Sequence, residues 1–166
     1  MAISGAREDM GITAIVIDDD RDTVEVLSEF LHIKGINVIG KGHDGLEAIK
    51  MYNQLKPDVI FLDVMMQDHD GFYTLEKIRK IQPDAIVILI TADTAEDTRK
   101  RLQDLGASAV IYKPYDINEI MFETDNMVRK LKRELIEEIN SKKARLRELN
   151  AILGNRLRES NQVNTN

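Results

Sequence analysis

Short apolar runs rich in Val and Ile recur along this chain, at residues 14–17 (AIVI), 37–40 (NVIG), 59–62 (VIFL), 85–90 (AIVILI) and 109–112 (AVIY). They lack the clean apolar–polar alternation of a strand with one wet face, and runs of this length suit strands covered on both faces. Between them lie stretches with apolar residues at helical spacing, over 22–35, 44–56, 71–82 and 93–106. Gly35 and Gly106 stand where such helices stop, and Asp22, Asp44 and Asp93 where caps are expected. Pro57 and Pro83 mark the entries into the third and fourth runs. This alternation implies right-handed βαβ units and a parallel sheet flanked by helices. In such sheets the working site lies beyond the carboxyl ends of the strands.

After Pro114 the strand signal ends, and the chain from Asp116 onward reads as helix without a proline. Ile117, Ile120, Met121 and Phe122 are the residues expected to face the core, and beyond Leu131 the sheet is expected to be out of reach. From Val128 a four-three alternation picks out Val128, Lys132, Leu135, Ile139, Lys142, Leu146, Leu149, Leu153 and Arg156. The apolar majority makes this a coiled-coil seam interrupted by cations. The expected organisation is a flexible N-terminus (1–11), an α/β domain (12–128), an extended amphipathic basic helix (129–158) and a flexible tail (159–166).

Hydrophobic residues at 43% and charged residues at 31% of 166 fit a soluble globular protein. No apolar stretch approaches membrane-spanning length, and the opening MAISGAREDMG lacks the apolar segment of a signal peptide, so a cytoplasmic protein with no membrane partner is expected. The absence of cysteine excludes disulfides and thiolate metal sites. His32, His43 and His69 are scattered without ligand spacing. The net charge of −6 conceals a division, because residues 129–158 are basic and the remainder strongly acidic. Such asymmetry suits either a partner of opposite charge or a solvated mixed-charge helix face.

The candidate chemistry sits at the ends of the apolar runs. Asp18 and Asp19, Asp63, Thr91 and Lys113 each follow a separate run, directly or, for Lys113, just after Tyr112. Taken singly, each reads as a solvated turn or a strand end. Taken together on neighbouring parallel strands, they bring three carboxylates, a hydroxyl and an ammonium to one mouth. A hard divalent cation is satisfied by oxygen ligands of this kind, leaving positions for water and phosphate. A carboxylate beside such a cation can attack a phosphoryl donor, with Lys113 neutralising the developing charge.

At these residues the chain resembles the receiver domains of two-component response regulators. The segments that carry the resemblance are VIDDD (16–20), PDVIFLDVMMQDHDG (57–71), VILITA (87–92) and VIYKPY (110–115). The resemblance implies a flavodoxin-like (βα)5 doubly wound parallel sheet in the order 2-1-3-4-5. It also implies Asp63 as phosphoacceptor, Mg2+ (or Mn2+) held by Asp18, Asp19, Asp63 and the backbone carbonyl of Met65, and a phosphoryl group met by Thr91, Ala92 and Lys113, with Pro114 after a cis peptide bond. The donor would be a sensor histidine kinase or a phosphotransfer protein. Two departures stand out. Gln67 follows Met66 where the family commonly has proline, and Val110 occupies the switch position where an aromatic is common.

Two other readings remain open at this point. In a haloacid-dehalogenase-like phosphatase, Asp18 and Asp20 would form an Asp-x-Asp motif with Asp18 as nucleophile, leaving Asp63 without a role. A receiver fold that works without phosphate would be a pure interaction module. The residues that follow the receiver in this sequence are too few for a winged-helix, helix-turn-helix or catalytic output domain, so the expectation is a receiver with a helical extension or a fragment of a longer protein whose effector domain is cut away. Homodimerisation or docking of a downstream protein through the seam Val128, Leu135, Ile139, Leu146, Leu149 and Leu153 is the expected output, and nucleic acid is not the expected partner.

Overall fold

The structure, a computed structural model, describes residues 11–163, with side chains described as far as Gly154. Apart from Gly11, the N-terminal segment expected to be flexible lies outside the described residues, as do residues 164–166 of the expected tail. Five strands alternate with five helices: β1 (Thr13–Ile17), α1 (Arg21–Ile33), β2 (Asn37–Gly42), α2 (Gly45–Leu55), β3 (Val59–Asp63), α3 (Gly71–Ile81), β4 (Ile86–Thr91), α4 (Glu96–Asp104), β5 (Ala109–Tyr112) and α5 (Ile117–Val163). The strands form one parallel sheet in the order β2-β1-β3-β4-β5. This is the flavodoxin-like arrangement, and its topological switch falls between β1 and β3.

Burial follows from that order. The inner strands β3 and β4 are buried at every position and β1 at all but its first, whereas the edges β2 and β5 are only partly covered. Ile15, Ile17, Ile60, Leu62, Val87 and Leu89 meet Leu75 and Ile78 of α3 and Leu102 of α4 in the main core. Side chains this fully buried each contribute about 1.5–3 kcal/mol.

The helix ends refine the sequence expectations. Gly35 and Gly106 adopt φ of +84° and +81°. Behind each, paired backbone bonds close the helix: Ile36 N–H to Leu31 O (2.9 Å) with Gly35 N–H to His32 O (3.0 Å), and Ala107 N–H to Leu102 O (3.0 Å) with Gly106 N–H to Gln103 O (2.9 Å). These are Schellman closures, which need the left-handed conformation that glycine adopts without a Cβ penalty. Asp44 caps α2 as expected. Asp22 does not cap α1. Asp20 does, accepting from Asp22 N–H and Thr23 N–H, because the chain is still extended at Asp20 and already helical at Asp22. α4 begins after Ala95 with no side-chain cap, and Asp93 acts from further upstream.

The chain divides into two compact units, Met1–Met127 and Val128–Asn166. In the first, Ile120 of α5 is fully buried and Ile117 and Met121 are half-buried, as expected. Phe122 is 64% exposed instead. It lies two residues from Ile120, on the opposite side of a helix that turns 100° per residue, and the position is filled by the buried Thr124, whose hydroxyl donates to Ile120 O (2.7 Å). In the second unit every residue from Lys132 to Leu153 is exposed.

Candidate functional site

The run of three aspartates resolves into three different tasks. Asp18, 5% exposed, follows β1 directly, and its Oδ1 accepts Asp20 N–H at 2.9 Å. Asp19 is exposed and its Oδ2 accepts Gln67 N–H at 3.3 Å, drawing in the loop after β3. Asp20 starts α1. A parallel strand that must turn at once into a helix thus has its last buried carboxylate, its mouth carboxylate and its cap in consecutive positions.

Asp63 is the last residue of β3, 4% exposed, and its Oδ2 accepts Met65 N–H at 2.8 Å. Lys113, just beyond β5, bridges the two buried carboxylates, with Nζ 2.7 Å from Asp63 Oδ1 and 2.9 Å from Asp18 Oδ2. The Lys113–Pro114 peptide bond is cis. Carboxylate oxygens of Asp18, Asp19 and Asp63 all lie within 4.8 Å of one another. Three oxygen donors at that spacing suit a hard divalent cation better than a soft one.

Burial raises the Asp63 carboxyl above the usual carboxylate range, and the charge of Asp18 adds to the effect, while bonds from Lys113 and the Met65 N–H oppose it. Burial works against the Lys113 ammonium, but its hydrogen bonds to Asp63 and Asp18 prevail and hold it protonated beyond the ordinary lysine range. Burial also raises the Tyr115 phenol, whose surroundings include Lys113, Asp18 and Asp63. The site therefore holds a buried carboxylate whose charge is disfavoured by burial, beside a cation bonded directly to it.

Thr91 is fully buried at the end of β4, one residue beyond Ile90, the strand partner of Asp63. Its hydroxyl oxygen accepts Asp93 N–H at 3.0 Å. Asp93 in turn accepts Ala95 N–H (2.8 Å) and the Thr98 hydroxyl (2.6 Å), so a line of hydrogen bonds runs from Thr91 into the first turn of α4. Those bonds hold the Asp93 carboxyl below the usual carboxylate value.

Asp18, Asp19, Asp63 and Lys113 are brought together as the sequence suggested, with Thr91 on the adjacent strand end. Met65 places its backbone N–H on Asp63 while its side chain is 58% exposed, and Ala92 and Pro114 are exposed on the loops that leave β4 and β5. Val110, at the family's switch position, is half-buried against the main core. Three contributors escaped sequence reading. His43 Nδ1 lies 3.1 Å from Asp18 O, Gln67 supplies its backbone to Asp19, and Thr98 completes the Asp93 network. Only Thr98 carries a sequence signal, a hydroxyl at the start of a helix within reach of an acidic residue upstream. Gly71 also shapes the site, since a Cβ there would stand 2.6 Å from Val64 Cα and 2.7 Å from Asp63 O.

The sequence profile described as the response regulator receiver domain matches residues 14–125. The chain belongs to this family. Among curated relatives, response regulator MprA of Mycobacterium tuberculosis is 32% identical over 125 residues, covering 75% of this chain and 54% of that protein. MprA of Mycobacterium ulcerans is 30% identical over the same length, covering 75% and 53%. The chain thus spans about half the length of the curated relatives it matches. Among solved structures, a chain of the CheX–CheY–BeF3–Mg2+ complex from Borrelia burgdorferi aligns with a TM-score of 0.68 at 28% identity, over 70% of this chain and 89% of that one. This receiver is a signalling domain of the two-component type, which sets aside the phosphatase reading. Asp20 agrees with that outcome, since its carboxylate is occupied as a helix cap. Among the described residues no helix is long and apolar enough to cross a membrane.

Proposed function

We propose that this receiver accepts a phosphoryl group on Asp63 in a divalent-cation-dependent reaction. A histidine kinase or a phosphotransfer protein is the donor. The observation that carries the reading is the bridge from Lys113 to Asp63 and Asp18 inside a cluster of three carboxylates at the switch point of the sheet. Asp18, Asp19, Asp63 and the Met65 carbonyl are the residues assigned to Mg2+ (or Mn2+), which when bound supplies charge neutralisation that Lys113 alone cannot give. The Mg2+ of the Borrelia burgdorferi complex supports this choice of ion.

In the reaction, an Asp63 carboxylate oxygen attacks phosphorus, the phosphorus–nitrogen bond of a phosphohistidine breaks, and the electron pair leaves with the imidazole nitrogen. The product is an acyl phosphate on Asp63. Lys113 pairs with a phosphoryl oxygen, and the Thr91 hydroxyl and the backbone N–H of Ala92 donate to the others. Drawing Thr91 toward the phosphoryl group changes the face formed by α4, β5 and the start of α5. With Val110 at the switch position, no rotating aromatic takes part there, and the hydrogen bonds from Thr91 through Asp93 to Thr98 carry the change. The output is homodimerisation or docking of a downstream protein through α5.

Intact-protein mass spectrometry after incubation with acetyl phosphate tests the reading. One phosphoryl adduct, stable in acid and labile in base, is expected in the native chain with Mg2+, and none with EDTA or in Asp63→Asn. No adduct under any condition would make this a phosphate-independent interaction module. An adduct that survives Asp63→Asn would overturn Asp63 as the acceptor and reopen Asp18 as the nucleophile.

A further inference from the structure

We infer that the partner of the C-terminal helix is a second copy of this chain, paired parallel and in register over residues 128–154. This rests on the reading of α5 as the output element and names its occupant and alignment.

Large apolar side chains lie open to water along this segment, with Leu135 at 54%, Ile139 at 42%, Leu146 at 58%, Leu149 at 52% and Leu153 at 57% exposure. A bare stripe of this length along a helix calls for a covering surface. The four-three spacing places Lys132, Ile139, Leu146 and Leu153 at a positions and Val128, Leu135, Lys142 and Leu149 at d. Ile139 at a between Leu135 and Leu149 at d, together with lysine layers at Lys132 and Lys142, favours two strands over three.

The flanking positions decide the alignment. Ile136, 56% exposed, and Ile152, 47% exposed, fall outside the seam, at an e and a g position. In a parallel pair each g residue meets the e residue five places on in its partner. Leu131 then packs on Ile136 of the second copy, Glu138 meets Lys143, and Arg145 meets the neutral Asn150, so apolar faces apolar and the one charged pair is complementary. Each Lys142 faces another Lys142 but brings its own counter-charge, Glu138 at 2.5 Å within the same helix.

The antiparallel registers of greatest overlap do worse. One sets Lys143 against Lys143 and Arg145 against Arg145. The other sets Lys142 against Ile139 and Ile136 against Lys143. A parallel pair shifted by one heptad places Lys142 against leucine.

The charges supply the test. Sedimentation equilibrium of the full chain, with and without acetyl phosphate, should show a dimer in at least one state. In that state Lys143→Glu should raise the dissociation constant about tenfold, since two favourable pairs become two repulsive ones, and Glu138→Lys by more, since it also strips Lys142 of its counter-charge. An equimolar mixture of the two variants should bind more tightly than either variant alone, as a heterodimer with both flanking pairs restored. Because the chain has no cysteine, Leu149→Cys should form a disulfide-linked dimer on mild oxidation and Glu137→Cys, on the outer face, should not. A dimer weakened by Glu138→Lys and untouched by Lys143→Glu would overturn the parallel alignment, because the second antiparallel register sets Glu138 against Arg145 and Lys143 against Ile136. A monomer in both states would overturn the second copy as partner, while the Asp63 adduct, read separately by mass, would still stand or fall alone.

Discussion

Asp63 is held in a place that does not favour its charge. Its carboxyl is raised by burial, so protonated Asp63 contributes stability below its unfolded pKa, and that contribution is lost as pH rises through the higher folded value. At neutral pH that contribution is gone, and the ionised carboxylates of Asp63 and Asp18 share the one ammonium of Lys113. Asp63→Asn should melt at a higher temperature than the native chain at pH 7 in EDTA, and the gap should close on acidification, when the native carboxyl takes up its proton. An unchanged or lower melting temperature at pH 7 would contradict this account. Gly71 sets a steric limit at the same place. Gly71→Ala must push the backbone of Asp63 and Val64 apart from α3, at a cost of about 1–3 kcal/mol measured by urea unfolding, with slower adduct formation on Asp63. The carboxylates and Lys113 were legible in the sequence because each ends an apolar run. His43, Gln67 and Gly71 were not, because their roles are contacts to or from the backbone across 25, 48 and 7 residues that no local pattern encodes.

At the scale of elements, strands were the easiest part to read, since a doubly covered strand must be apolar throughout. Caps were harder. Asp20 and Asp22 are the same residue type two apart, and only the dihedral at the turn decides between them. Phe122 was misplaced because three consecutive apolar residues, Ile120, Met121 and Phe122, span more of a helix than one face can bury. Arg79 shows how α3 is tied to its neighbours, with its guanidinium donating to Gly106 O (2.8 Å), Pro83 O (3.1 Å) and Ser108 Oγ (3.1 Å). Arg79→Ala should cost roughly 2–3 kcal/mol in chemical denaturation, since it removes several hydrogen bonds made by one charged donor. A loss under about 0.5 kcal/mol, the low end for a hydrogen bond's net worth, would show that water replaces it.

For the whole molecule, a cation that binds only the folded chain stabilises it by linkage. At Mg2+ a hundred times its dissociation constant the gain is about 2.7 kcal/mol. Thermal melting in a Mg2+ series should show this rise in the native chain and a much smaller one in Asp19→Asn, whose exposed carboxylate makes it the least disruptive of the three to remove. Equal shifts in both would take Asp19 out of the cation site. The two ends of α4 also differ in kind. Its last turn is locked by the Gly106 closure and by Arg79, whereas its first turn has no cap of its own and leans on Asp93, which in turn leans on the Thr91 hydroxyl. If that hydroxyl turns to a phosphoryl oxygen, α4 becomes a lever pinned at one end. Hydrogen exchange should then quicken on phosphorylation over residues 95–99 and stay unchanged at 105–107, and Thr98→Val should give the quickened pattern with no phosphate at all.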